Sequence, residues 1–125
     1  MKVRDYEVDA EGIVNNANYL HYFEHTRHEF CASAGLSFRQ MRERGMAPVV
    51  SDIAVRYVRS LGLGESMTSM LSLHRRGPRF VFHQWIVNER GETVVDGTVT
   101  VVNVVDGRLT RGDEFAEAFA RYLSD

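Results

Sequence analysis

One helical repeat stands ahead of four extended runs, and that imbalance constrains the architecture more than any other feature of the chain. From Asn16 onward, Leu20, Phe23, Arg27, Phe30, Cys31 and Ala34 recur at spacings of three and four, the period of one helix face. Gly35 follows as a stop, so the spacing predicts a single helix of about five turns. Tyr19 and Tyr22 widen its apolar side beyond the stripe one partner helix covers. Something more extended must wrap it.

The material for that wrapping comes after Pro48. The runs "VVSDIAVRYVRS", "ESMTSMLSLHRR", "RFVFHQWIVNER" and "ETVVDGTVTVVNVV" are β-rich and separated by short glycine-containing spacers, which predict antiparallel neighbours. Imperfect alternation over residues 3–8 predicts a short strand before the helix, ending at "DAEG". Residues 36–48 have room for one short helical turn before Gly45 and Pro48 interrupt it. Phe115, Phe119 and Tyr122 carry helical spacing near the C-terminus, with Asp113 placed to favour the positive helix end. The expected class is α+β: an antiparallel sheet of about five strands around a long central helix, with a C-terminal helix, as one domain over residues 1–125.

Charge and cysteine content narrow the function. Fifteen Lys and Arg against seventeen Asp and Glu give a net charge of -2, which supplies no basic field for a nucleic-acid backbone. Cys31 is the single cysteine, so no internal disulfide forms, and packing on the helix is a better reading for it than a catalytic thiol. His21, His25 and His28 lie on one helix without an H-E-x-x-H pattern, so they read as surface histidines and no metal is expected. No stretch approaches the roughly 20 apolar residues of a membrane span, and the alternating "MKVRDYEVD" has no apolar run of the kind a secretory signal carries, so no leader is expected. A cytoplasmic, soluble protein without membrane or nucleic-acid partners is expected.

The chemistry concentrates in "VDAEGIVNNANYLHYFE", residues 8–24. An acid, a glycine and two asparagines precede the helix. Asp9 reads either as turn chemistry or as a carboxylate able to act on a substrate. Gly12 permits a tight turn or a close ligand approach. Asn15 and Asn16 sit where the helix begins, and Asn is a strong N-cap. The unpaired N–H groups of that helix end could hold a developing oxyanion. Tyr19 lies on the helix face either as core or as a pocket wall. Glu24, with Arg27 and His28 at helical spacing, reads as an exposed or ion-paired residue before a second candidate acid. Arg56, Arg59, Arg75, Arg76 and Arg79 concentrate in the strand region, as phosphate ligands or as charges guarding sheet edges.

The run "DAEGIVNNANYLHYFEHTRHEF", with "RYVRS" downstream and a β-rich second half, resembles the hot-dog-fold thioesterases of the 4-hydroxybenzoyl-CoA thioesterase type. Asp9, Gly12, Asn15, Asn16 and Tyr19 carry the resemblance. "VNNANYL" also looks like the "HVNN" variant of related acyl-CoA and acyl-carrier thioesterases, with Ile13 standing where that variant has His. The resemblance implies hydrolysis of an acyl-CoA or acyl-carrier thioester without a cofactor beyond the CoA of the substrate. Asp9 would be the catalytic carboxylate and the backbone N–H of Asn16 the oxyanion donor. It also implies a substrate site shared between subunits, with Gly12, Asn15, Tyr19 and Arg59 as binding residues, a homodimer as the minimum unit and tetramers as a common further assembly. A hot-dog hydratase or dehydratase and a non-catalytic acyl-thioester binding module are the rival expectations.

Overall fold

The computed structural model describes residues 2, 16–62 and 64–124; the strand expected at residues 3–8 lies outside them. The long helix, α1, spans Asn16–Ser33. Its end is fixed by Gly35 at φ +90°, with Leu36 N–H bonded to Cys31 O and Gly35 N–H to Ala32 O. That pair of bonds satisfies carbonyls the helix leaves open, and only glycine adopts the left-handed backbone there without strain. The short turn expected next is α2, Phe38–Glu43, closed at its start by reciprocal bonds between Ser37 and Gln40.

Four long strands follow: β1 Met46–Tyr57, β2 Met67–Arg76, β3 Arg79–Asn88 and β4 Thr93–Val105. β4 pairs antiparallel with both β1 and β3, and β3 with β2. Two-residue strands complete the sheet, with β5 (Arg108–Leu109) on β4 and β6 (Leu123–Ser124) parallel to β2. The order is β1-β4-β3-β2-β6, so β1 is an edge among the described residues. Pro48 does not end the helical region but lies inside β1, opposite Asn103. An edge strand tolerates a missing N–H that a central one would not.

The C-terminal segment departs from the expected single helix. α3 covers only Asp113–Ala118, a 3-10 turn holds Ala120–Tyr122, and β6 follows. Phe115 and Phe119 still pack as the spacing predicts, against Phe80 at 5.4 and 6.5 Å between ring centroids.

One face of the sheet is buried by α1. On β3, Phe80, Phe82, Gln84, Ile86 and Asn88 point inward and alternate with half-exposed residues, the period-2 signature of a one-sided sheet. Phe30 meets Phe82 edge-on at 5.9 Å. Phe23 is fully buried over Gly97, where an added Cβ would lie 2.8 Å from Ala54 O and 3.2 Å from the Phe23 ring. This glycine is required by close approach rather than by its backbone angle.

Candidate active site

Contacts along α1 fix which end of the sheet meets the helix start. Tyr19 lies 5.7 Å from Tyr57, Phe23 packs on Gly97, and Phe30 reaches Phe82. The start of α1 therefore sits beside the end of β1, and its last turns lie toward the β2–β3 hairpin. The described part of α1 starts at Asn16. Asp9, Gly12 and Asn15 lie outside the described residues.

Tyr19 is buried in the core, 2% exposed. Its hydroxyl accepts a hydrogen bond from Leu61 N–H at 3.2 Å, and burial holds its pKa above the ordinary phenol value. That bond ties the first turn of α1 to the segment two residues beyond Arg59. Arg59 is exposed and faces Glu92 at 3.5 Å, while the same carboxylate accepts from Asn88 at 3.0 Å and from Arg90 at 2.8 Å. The Asn88 and Arg90 bonds hold the Glu92 carboxyl below its usual range.

The other arginines separate. Arg75 is committed to the fold, donating to Gly77 O, Arg111 O and Asp113 and lying 5.5 Å from the Phe80 ring. Arg76 and Arg79 remain exposed beside an open cleft of about 740 Å³ on the outward face, shared with Asp52, His74 and Thr100. That hairpin lies toward the end of the sheet opposite the start of α1. Trp85 stacks on His83 at 4.7 Å, and His83 bonds Asp96 at 3.0 Å on the same face.

Cys31 is buried, and desolvation pushes its thiol up to about 12. A thiol that stays protonated is a packing residue and not a nucleophile. His25 pairs with Glu29 at 2.7 Å and His28 faces Glu24 at 3.7 Å, all exposed on the helix surface. Among the described residues no His, Cys, Asp and Glu cluster could hold a metal ion. No described helix is long and apolar enough to cross a membrane.

Sequence reasoning placed Arg27 on the apolar stripe with Glu24 as a pairing candidate at helical spacing, whereas Glu24 faces His28 and Arg27 turns to the sheet. Arg27 is 8% exposed, and its Nη1 donates to Gln84 Oε1 at 2.9 Å while Gln84 Nε2 donates to Phe23 O at 2.9 Å. Beside it, a cavity of about 290 Å³ opens between α1 and β1, lined by Leu20, His21, Glu24, Arg27, His28, Phe38, Pro48, Val50, Ile53 and Val101. The polar residues at inward positions on β3 were the only signal available in the sequence, and it took the fold to bring Gln84 under Arg27.

The chain resembles known proteins over most of its length. It is 33% identical to the long-chain acyl-CoA thioesterase FadM of Escherichia coli, covering 82% of this chain and 78% of that protein. A crystal structure of a hypothetical protein from Aquifex aeolicus superposes with a TM-score of 0.89 at 28% identity, covering 94% of each chain. The chloroplastic acyl-acyl carrier protein thioesterase ATL3 of Arabidopsis thaliana is 40% identical over 52% of this chain, a match spanning 34% of the plant protein's length. The family description "Thioesterase-like superfamily" matches residues 3–123. This chain is a member of that superfamily and has its hot-dog fold.

Proposed function

We propose that the protein hydrolyses acyl thioesters, with acyl-CoA as the substrate class. The family match over residues 3–123 carries this reading, and the name of the E. coli relative supports CoA as the carrier. In the proposed reaction the thioester carbonyl lies against the start of α1, where the Asn16 N–H donates to the oxygen that becomes negative. Asp9 either attacks the carbonyl to form a mixed anhydride that water then cleaves, or takes a proton from the attacking water. Both routes release a free acid and the thiol. Gly12 and Asn15 would shape the loop that admits the thioester, and Tyr19 would hold the helix start from the core side. Arg59, one bond network away, would meet a phosphate of the CoA.

A homodimer is the proposed working unit. Among the described residues β1 is a twelve-residue edge whose Val49, Val50, Ile53 and Tyr57 are each more than 40% exposed. A long apolar edge left open is a template for pairing with another chain, and a second copy of the same edge closes it by two-fold symmetry. Tetramers would form from such dimers.

Carrier-protein substrates are the second reading, favoured by the similarity to the plant acyl-carrier enzyme. Thiol release from matched acyl-CoA and acyl-carrier substrates, in wild type and Asp9→Asn, tests both. Turnover of acyl-CoA that falls at least ~100-fold in the variant, the lower end of a general acid–base contribution, is expected. Wild-type turnover in Asp9→Asn would remove Asp9 from the mechanism, and absence of thiol release from either carrier would remove the hydrolase reading.

A further inference from the structure

Charge is unevenly divided along the molecule. At one end of the sheet β1 begins at Met46 opposite Val105, Arg108 of β5 pairs with the same Val105, and the β2–β3 turn meets Val102 of β4 through Arg79. α2 leads into the start of β1, and the start of α3 is tied to β2 by Arg75, which bonds Arg111 O and Asp113. The segments gathered there, residues 38–44, 75–79 and 106–121, hold nine arginines against five Asp and Glu. The rest of the chain holds six Lys and Arg against twelve Asp and Glu.

Most of that positive charge is unmatched. Arg42, Arg44, Arg76, Arg79, Arg108 and Arg111 are exposed, and none of them makes an ion pair among the described residues. The exposed arginines elsewhere fare differently, since Arg59 and Arg90 both face Glu92. Three acids of the basic end are already engaged, Glu43 by Arg39, Asp113 by Arg75 and Glu114 by Asn103, which leaves Asp106 and Glu117 exposed. Like charges crowded together repel one another, so a partner of opposite sign would relieve this end of the fold. Every cation in these segments is arginine, the basic residue that protein interfaces favour while lysine is depleted there.

The surface is also broad. It crosses four strands, about 14 Å at the spacing of a sheet, before α2 is added. On its outward side Arg76 and Arg79 flank the cleft of about 740 Å³, whose other titratable residues are Asp52 and His74. Leu109, 60% exposed, adds an apolar wall to that cleft. Spread charge with some apolar surface suits a protein face better than a single phosphate group.

We propose that this arginine-rich end docks the acidic face of an acyl-carrier protein, which brings the acyl chain to the enzyme as its thioester. The proposal rests on the thioesterase reading and adds the surface by which a carrier substrate would be recognised. A two-fold axis through paired copies of β1 runs them antiparallel, which would set the basic end of one copy beside the start of α1 in the other. A carrier docked on one copy would then present its thioester to the partner.

One acyl chain on three carriers tests it: an acidic acyl-carrier protein, CoA and pantetheine. For wild type, kcat/KM on the carrier-protein thioester should fall at least ~10-fold between about 0.05 and 0.5 M salt, as screening of exposed charges requires, while the uncharged pantetheine thioester should not respond. The triple variant Arg76→Gln, Arg79→Gln, Arg108→Gln alters only exposed positions. It should lose at least ~10-fold on the carrier-protein thioester, the size expected from several exposed ion pairs, and spare the CoA and pantetheine thioesters. Calorimetric titration with the carrier protein bearing its free thiol measures docking without hydrolysis, so failure of the hydrolase reading is seen separately. Equal losses on the carrier-protein and CoA thioesters would assign these arginines to phosphate groups and overturn the proposal. It would equally fall if the variant bound the carrier as tightly as wild type, or if wild type did not bind it at low salt.

Discussion

Replacing Gln84 with Leu isolates the interaction that holds Arg27 in the core. Gln84 is fully buried, lies between Leu71 and Gly97 on the flanking strands, and makes two bonds, one from Arg27 and one to Phe23 O. Leucine fits that apolar setting and removes both bonds. The helical backbone still supplies Phe23 O with a partner, so the loss falls on the guanidinium. A hydrogen bond to a charged group contributes about 1.5–3 kcal/mol. Burying an apolar side chain in place of an amide offsets roughly 1 kcal/mol of this. The net expectation is a loss of about 0.5–2 kcal/mol, or a fall in Tm of roughly 2–10 °C for a chain of this length.

The assay is denaturant unfolding of wild type, Gln84→Leu, Arg27→Met and the double variant at one fixed protein concentration, because assembly contributes to apparent stability. If the pair is coupled, the double variant should lose less than the sum of the singles by about 1 kcal/mol or more. Removing both polar groups from a core leaves no unpaired partner behind. A neutral Gln84→Leu together with strictly additive losses would show that Arg27 is satisfied by groups other than Gln84.

Three further outcomes are expected. Gly97→Ala should cost about 1–3 kcal/mol, the usual range for overpacking, because the new methyl group would meet Ala54 O at 2.8 Å; an unchanged unfolding midpoint would show that Phe23 and β1 shift freely. Ile53→Lys on the exposed β1 edge should convert the assembly to monomers by light scattering and abolish thiol release; a folded, fully active monomer would contradict a site shared between copies. The Cys31 thiol is raised from near 9 to about 12 when folded. Its contribution to stability is therefore complete below pH ~9 and declines as pH rises toward 12, by about 1.4 kcal/mol per unit. Unfolding free energies above pH 9 should fall less steeply in Cys31→Ala, and identical slopes would deny the burial effect.

Periodicity made the frame legible before any coordinates. The spacing from Leu20 to Ala34 gave α1 with its glycine stop, and the four β-rich runs gave the four long strands in order. Three features were beyond its reach, each for a tertiary reason. Pro48 looks like an interruption unless β1 is known to be an edge, where the absent N–H leaves no ladder bond unmade. Tyr122 keeps helical spacing with Phe119, yet the open edge of β2 draws the following residues into β6. Arg75 is indistinguishable from Arg76 in "HRRGPR", but strand alternation turns the first inward to bind Arg111 O and leaves the second outside. Site residues divide in the same way. Asn16 and Tyr19 could be placed on a helix from local pattern alone, while the pairing of Arg27 with Gln84 spans 57 residues and has no local signature.

The edge strand links the proposed assembly to the groove beside α1. Pro48, Val50 and Ile53 line the groove beside Arg27, and they belong to the same β1 that is an edge of the sheet among the described residues. In the proposed dimer one side of the strand would pair with a second copy, while its side chains on the α1 side would wall the groove. Pairing would hold the strand in place and deepen the groove, strengthening the polar contacts inside it as water is excluded. On this reading, holding the chain monomeric should lower thiol release through a looser groove, whereas Arg27, already 8% exposed in the single chain, should keep its bond to Gln84.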